Sequence, residues 1–154
     1  MKAFLLIGAS SLALFGQKLE VSSTSVSPGD KATVEISIVL PKGAEVLGIQ
    51  WETIFPGKQM VAEGAGPEVS DAAKAAGKTL TCAKKVANEV QSYTCILIGG
   101  QKTIESGPIA ILKLATSPQA APGKTMIRVG HIDVVTKNLR KHSLSEAEGS
   151  VTVK

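Results

Sequence analysis

The chain has 154 residues, of which 44% are hydrophobic and 19% charged, with a formal net charge of +4 at pH 7. That length is typical of one domain, and that composition excludes a disordered or collagen-like chain. The basic residues are scattered, and their one cluster, at residues 137–142, is followed by two glutamates, so no basic face indicates nucleic-acid binding.

The N-terminal segment Met1–Gly16 has one early lysine followed by an apolar stretch. This pattern is typical of a secretory signal peptide, and the stretch is short for a membrane-spanning helix, which needs about 20 residues. Because the A-x-A cleavage pattern is missing, a retained N-terminal segment stays open as an alternative. We expect residues 17–154 to form a domain that is secreted or displayed at the cell surface. Contact with a membrane is expected only through Met1–Gly16, if that segment is not cleaved.

Alternating apolar and polar residues predict short strands along most of the chain. Lys31–Leu40 alternates most regularly. Val46–Phe55 holds the only tryptophan, Trp51, and places it among large apolar residues on one face, so this strand is expected to contribute most to the core. Further strands are predicted at Leu19–Ser25, Lys58–Glu63, Ile109–Ala115, Thr125–Val135 and residues 149–153.

Two segments interrupt this pattern. Pro67–Ala76 is predicted to contain a short alanine-rich helix, which Ser70 or a neighbour caps and Gly77 ends. Thr136–Glu148 is predicted to be a twisted hairpin or loop. Eight or nine short strands, separated by proline and glycine turns, predict an all-β fold, a two-sheet antiparallel β-sandwich. This fold requires no cofactor.

The two cysteines, Cys82 and Cys95, lie in strand-like segments on either side of a polar centre. Folding the chain about Asn88–Glu89 places them opposite each other, with both sulfurs on the same apolar side. An exported protein keeps such a pair oxidised, so we predict a structural disulfide. The alternative is a redox or metal-binding pair, but the spacing lacks the second ligand pair of a zinc site.

Five stretches together resemble a cohesin-like domain, over about Leu19–Val153. They are V-S-P-G-D-K-A-T-V-E-I-S-I, L-G-I-Q-W-E-T-I-F-P, A-A-G-K-T-L-T-C, G-P-I-A-I-L-K-L and G-S-V-T-V. The wider group is the bacterial cohesin and carbohydrate-binding-module sandwich superfamily. The resemblance implies a jelly-roll sandwich of about nine strands with an extracellular, non-catalytic binding or scaffolding role. It also implies a dockerin-like or cell-surface protein as the partner, since cohesins bind dockerins.

The sequence contains none of the common hydrolase, metalloprotease, nucleotide-binding or calcium-binding motifs. His131 and Asp133 share a strand face and could contribute to a metal site or an acid–base pair. The further ligands that a metal site needs are missing, however, so we favour ordinary strand positions for both. We predict no catalytic residue, no bound metal and no enzymatic activity.

Two pairs of isoleucines predict a protein-binding face. Ile96 and Ile98 on the cysteine hairpin, and Ile109 and Ile111 on the next strand, have the parity opposite to the presumed core, with Arg128 beside them. The same pattern arises if both strand faces are buried, and parity does not distinguish the two cases. The leading hypothesis is a secreted module for protein–protein adhesion or extracellular assembly.

Two other functions remain as alternatives. The first is a structural subunit of a surface filament or particle, in which Met1–Gly16 is retained and inserts beside a neighbour's sheet edge. The second is polysaccharide binding, which ordinarily uses several exposed aromatic rings. Few rings are available for it, because Phe4 and Phe15 fall in the N-terminal segment and only Phe55 or Tyr93 is a candidate for exposure.

Overall fold

The computed structural model of the protein describes residues 16–154. The predicted signal segment Met1–Gly16 lies outside them, apart from its last residue. The described chain forms two β-sheets and one short helix. The two-sheet sandwich predicted from the alternation is therefore confirmed.

Twelve strands are present in the described residues, more than the eight or nine predicted, because several short edge segments also pair. In chain order they are β1 (Lys18–Val21), β2 (Thr24–Val26), β3 (Lys31–Val39), β4 (Val46–Pro56), β5 (Met60–Ala62), β6 (Glu68–Val69), β7 (Thr79–Ala87), β8 (Val90–Ile98), β9 (Gly107–Thr116), β10 (Gly123–Thr136), β11 (Lys141–Leu144) and β12 (Ala147–Val153). The helix α1 (Asp71–Ala75) lies between β6 and β7.

The larger sheet has the order β2-β12-β10-β4-β8-β7, with β11 paired to the C-terminal part of β10. The smaller sheet has the order β1-β3-β9-β5, with β6 also paired to β9. All pairs are antiparallel except β2 with β12. The strands β10, β4 and β8 are thus the centre of the larger sheet, and their side chains alternate between the core and the outer surface.

The core lies between the two sheets and is built around β4. Trp51 and Phe55 of β4 are 0% and 1% exposed, and Tyr93 of β8 stacks on Phe55 with 6.3 Å between ring centroids. From the smaller sheet, β3 contributes a fully alternating set of buried residues, as its sequence predicts: Ala32, Val34, Ile36 and Ile38. The largest side chains of the described chain therefore meet at the centre of the sandwich.

Strand β9 departs from simple alternation near its start. Ile36 of β3 pairs with Ala110, but the next residue, Ser37, pairs with Pro108, so one extra residue is inserted at Ile109. Such a bulge turns two consecutive side chains to one face, and both Ile109 and Ala110 are buried. The expectation that Ile109 faces outward is therefore wrong, because parity cannot be counted through a bulge.

The helix and its caps agree with the sequence. Ser70 is the N-cap of α1, and its Oγ accepts a hydrogen bond from the Ala73 amide at 3.1 Å. After the helix, Gly77 takes the left-handed conformation with φ +77°, which a glycine adopts without steric cost. No helix in residues 16–154 is long and apolar enough to cross a membrane.

The cysteine hairpin is confirmed as predicted. Cys82 on β7 and Cys95 on β8 are directly paired and form a disulfide. The connecting turn has Asn88 and Glu89 at φ +51° and +61°, the two positive φ values of a type I′ hairpin turn. The disulfide fastens the edge strand β7 to the centre of the larger sheet.

Candidate functional site

The outer face of the larger sheet is formed by the alternate side chains of β8, β4 and β10. One row across it joins Ile96 of β8 to Gln50 of β4, Asp133 of β10 and Ser143 of β11. Gln50 is next to the buried Trp51 in β4, so its side chain points to the other side of the sheet, away from the core. The residues paired with it across the row point to the same side. No other layer of the described chain covers this face, since the smaller sheet packs on the opposite side.

An aliphatic depression lies at one end of this outer face. We call it the Gly48 hollow, and it is lined chiefly by Gly48, Gln50, Ile96, Ile98, Asp133 and Val135. A Cβ at Gly48 would come within 2.8 Å of Ile98 Cγ2, so the missing side chain lets Ile98 lie across β4. Ile96, Ile98 and Val135 are 39%, 55% and 37% exposed. The hollow therefore presents three branched aliphatic side chains to solvent on strands that are paired on both sides.

A fixed polar group borders the hollow. The Ser143 hydroxyl donates a 2.6 Å hydrogen bond to Asp133 Oδ1, and Lys141 Nζ lies 3.2 Å from Asp133 Oδ2. The hydrogen bond from Ser143, followed by the contact with Lys141, holds the pKa of Asp133 below its ordinary value. Asp133 is therefore a carboxylate at neutral pH and gives the edge of the hollow a defined acceptor and charge.

His131 lies further along the same face, at a bulge of β10. The register with β4 shifts between Gly130 and Asp133, and His131 has φ +48°, with its side chain largely exposed. Its Nε2 is 3.6 Å from Glu52 Oε2. His131 and Asp133 thus share a face, as the sequence predicts. Their charged neighbours differ, because His131 lies beside Glu52 and Asp133 lies beside Lys141. Within residues 16–154 no group of three potential metal-ligating side chains is found.

The five predicted partner-binding residues do not form one surface. Ile96 and Ile98 lie together in the Gly48 hollow. Arg128 is exposed on the same face of the larger sheet, but it pairs with Ile54 and so lies in a different row from Ile96. Ile109 is buried in the bulge of β9, and Ile111 is half-buried on the smaller sheet, opposite Glu68 of β6. The outward isoleucines of β8 and β9 therefore belong to opposite sides of the sandwich.

Three residues of the hollow were missed by the sequence interpretation: Gly48, Gln50 and Val135. Alternation along β4 alone would place Gln50 outward, but its neighbours on β8 and β10 depend on strand order. Gly48, between Leu47 and Ile49, was an available signal, because a glycine inside a strand often marks a close approach of another group. Here that group is the Ile98 side chain.

The aromatic rings of residues 16–154 are not available for sugar stacking. Trp51, Phe55 and Tyr93 are each at most 1% exposed. Phe4 and Phe15 lie outside the described residues. Among residues 16–154, therefore, no tryptophan, phenylalanine or tyrosine ring offers the flat exposed surface that a polysaccharide platform uses.

Solved cohesin structures have the same fold. The sixth cohesin of scaffoldin B from Acetivibrio cellulolyticus, in complex with a mutant Cel5 dockerin, matches with a TM-score of 0.72 at 12% identity, covering 90% of this chain and 99% of that one. A non-cellulosomal cohesin from the archaeon Archaeoglobus fulgidus matches with a TM-score of 0.70 at 10% identity, covering 90% and 91%. A cohesin module from a Clostridium perfringens family 33 glycoside hydrolase matches with a TM-score of 0.67 at 12% identity, covering 90% and 98%.

No protein-family profile and no curated protein sequence matches the chain. At identities this low, the structural likeness establishes the fold. The chain has the cohesin-type jelly-roll sandwich that the resemblance of its sequence implied.

Proposed function

We propose that this protein is a non-catalytic binding module whose partner is another protein, and that the partner binds the outer face of the larger sheet at the Gly48 hollow. The observation that carries this proposal is the exposure of Ile96, Ile98 and Val135 beside one another on the outer face. Burying such a side chain completely is worth about 1.5–3 kcal/mol. Because Ile96, Ile98 and Val135 are 39%, 55% and 37% exposed, a protein that covers them gains roughly half of that value or less from each.

The composition of the hollow suits a protein surface. Protein interfaces commonly place an apolar centre inside a polar rim. Here Asp133, Lys141 and Ser143 form part of such a rim, with Gln50 between the rim and Ile96. Because Ser143 and Lys141 already fix the Asp133 carboxylate, little side-chain entropy is lost when a partner binds it.

The fold supports the same class of partner. The scaffoldin B cohesin is in complex with a dockerin, and the same description applies to a cohesin of Clostridium thermocellum. For this chain we infer a dockerin-like module or a cell-surface protein as the partner. We also infer that the domain works outside the cytoplasm in adhesion or assembly, a location that the Cys82–Cys95 disulfide supports.

Affinity capture with matched variants tests the proposal. The immobilised protein is exposed to the secreted and surface-extracted proteins of the producing cell, and the retained proteins are identified by mass spectrometry. The double variant Ile96→Asp/Ile98→Asp introduces two charges into the hollow. The control variant Val61→Asp places one aspartate at a valine that is 49% exposed on β5 of the smaller sheet.

We expect one defined protein to be retained by the wild type and by Val61→Asp, and to be lost with the double variant. Circular dichroism and thermal unfolding of all three proteins establish that each is folded. Retention of the same protein by the folded double variant would refute the proposed face. Retention of a cell-wall glycan, with no protein, would refute the proposed class of partner.

A further inference from the structure

Strand β7 is a long open edge of the larger sheet. It has nine residues and pairs only with β8. The other edge strands of the described chain, β1, β2, β5, β6 and β11, have only two to four residues each. Short edge strands offer little to an incoming strand, whereas a long exposed edge is a template for pairing with another chain. Lysines protect such edges when a second strand brings them together, and β7 carries Lys84 and Lys85, so the register of any pairing must keep them apart.

The geometry of the disulfide pair shows which backbone groups of β7 are open. Cys82 and Cys95 face each other with their Cα atoms 4.1 Å apart, the short separation typical of a non-hydrogen-bonded antiparallel pair. The N–H and C=O of Cys82 therefore point away from β8, and by alternation so do those of Leu80, Lys84 and Val86. Within residues 16–154, no turn, loop or cap hydrogen bond uses these groups. A continuous row of donors and acceptors is thus unpaired.

We propose that a second copy of this chain pairs here, β7 against β7, antiparallel about a two-fold axis at Ala83. In this register all nine residues of β7 pair from end to end. Leu80 faces Val86 of the second copy, and this contact covers the Val86 side chain, which is 59% exposed in the single chain. Ala83 faces its own counterpart, where two small side chains meet without obstruction.

The charges on β7 favour this register over its neighbour. With the axis at Ala83, Lys84 faces Cys82 of the second copy and Lys85 faces Thr81, so no two lysines are directly opposite. With the axis at Lys84, the two Lys84 side chains would face each other and repel. In the favoured register the two Lys84 side chains are diagonal neighbours, about 7–8 Å apart, so a weak repulsion remains. Added salt screens that repulsion and should strengthen the pairing.

Pairing about an axis perpendicular to the sheet would place the outer faces of the two copies on the same side. The dimer would then present two Gly48 hollows on one continuous sheet. A bivalent partner could engage both, with a gain in avidity over a single site. The dimer itself does not depend on the proposed function. Ala83 marks the edge of β7 and Ile98 marks the Gly48 hollow on β8, so a substitution in one surface tests it without changing the other.

Cysteine cross-linking tests the register. In Ala83→Cys the new thiol points to the outer face, away from Cys82 and Cys95, and meets its own counterpart across the axis. We expect this variant to form a covalent dimer under mild oxidation, with the new disulfide located by peptide mapping. The matched variant Lys85→Cys, whose counterpart lies far along the strand, should stay uncross-linked. Cross-linking of Lys85→Cys and not of Ala83→Cys would overturn the register.

Sedimentation velocity tests the edge itself. The wild type should show a reversible dimer whose fraction rises with protein concentration and with salt. Lys84→Pro removes one outward N–H and none of the β7–β8 hydrogen bonds, and should lower the association constant by about tenfold or more. Lys84→Ala keeps the N–H and should associate at least as strongly as the wild type. Ile98→Asp should dimerise normally, which separates this inference from the proposed partner face.

Three results would overturn the dimer. One is a wild type that stays monomeric up to its solubility limit. Another is a dimer that Lys84→Pro leaves unchanged, with the variant shown by its thermal unfolding to be folded. The third is a dimer that salt dissociates, since this would indicate attraction between opposite charges at another surface.

Discussion

The indole N–H of Trp51 donates a 3.0 Å hydrogen bond to Thr53 Oγ1, the next inward side chain of β4. Both side chains are fully buried. A buried indole N–H without an acceptor is costly, so the one polar residue on the inward face of this strand has a definite role. The core of the larger sheet therefore contains a matched polar pair in addition to its apolar packing.

Replacing Thr53 with valine removes the acceptor and keeps the shape of the side chain. We expect the free energy of unfolding to fall by about 1–3 kcal/mol, because the buried indole N–H loses its partner. Urea denaturation of the purified protein measures the change.

A double-mutant cycle separates this hydrogen bond from packing. In a Trp51→Phe background no indole N–H is present, so Thr53→Val should cost much less there than in the wild type. Equal costs in the two backgrounds would show that the hydrogen bond contributes nothing to stability.

Gly66 lies directly against the ring of Tyr93. It has φ +98°, and a Cβ at this position would overlap the ring atoms Cε1 and Cδ1. Gly66→Ala should therefore destabilise the protein by about 2 kcal/mol or more, through backbone strain and overpacking together. The control is Gly64→Ala, where φ is +60° and no atom lies within 4 Å of the new Cβ, so only about 1–2 kcal/mol of backbone strain is expected. Thermal unfolding should rank the two variants in this order, and the reverse order would contradict the packing described.

The disulfide should contribute measurably to stability. Closing a loop of this length gives about 3 kcal/mol in the chain-entropy model, so the Cys82→Ala/Cys95→Ala variant should lose a similar amount in equilibrium denaturation. A thiol assay on the denatured, unreduced wild type should detect no free thiol. Two free thiols would show that the bond does not form in the purified protein.

The environment of Asp133 gives a pH prediction. Its folded-state pKa lies below its unfolded value, chiefly because of the hydrogen bond from Ser143 and then because of Lys141. The resulting stabilisation is present above the unfolded pKa and is lost as the pH falls through the folded pKa. Ser143→Ala should raise the pKa of Asp133 towards its ordinary value, which a carboxyl-carbon NMR titration measures. An unchanged pKa would show that the hydroxyl has no influence on the carboxylate.

The sequence predicted those features that depend on neighbouring residues along the chain. Alternation identified β3 and β4, the spacing about Asn88–Glu89 identified the cysteine hairpin, and Ser70 marked the start of the helix. Each is a local pattern with a short-range physical cause, namely strand pleating, turn geometry or capping.

The proposed binding face was only partly predictable from the sequence, because it depends on which strands are neighbours and on irregularities such as bulges. The isoleucines of β8 and β9 have similar patterns, but β8 pairs with β4 and β9 pairs with β3, so they lie on opposite sides of the sandwich. The bulge at Ile109 turns that side chain into the core instead of outward. Nothing in the alternation of the sequence marks the bulge. Gly48 and Val135 meet only because β4 and β10 are neighbours.

The most direct test of the proposed face is the affinity of the captured protein, measured by calorimetry for two single-charge variants. Ile98→Asp lies in the Gly48 hollow and Val61→Asp lies on the smaller sheet, at similar exposed fractions of 55% and 49%. We predict that Ile98→Asp weakens binding by about tenfold or more while Val61→Asp changes it by less than about twofold. The opposite order, or two unchanged affinities, would contradict binding at the outer face of the larger sheet.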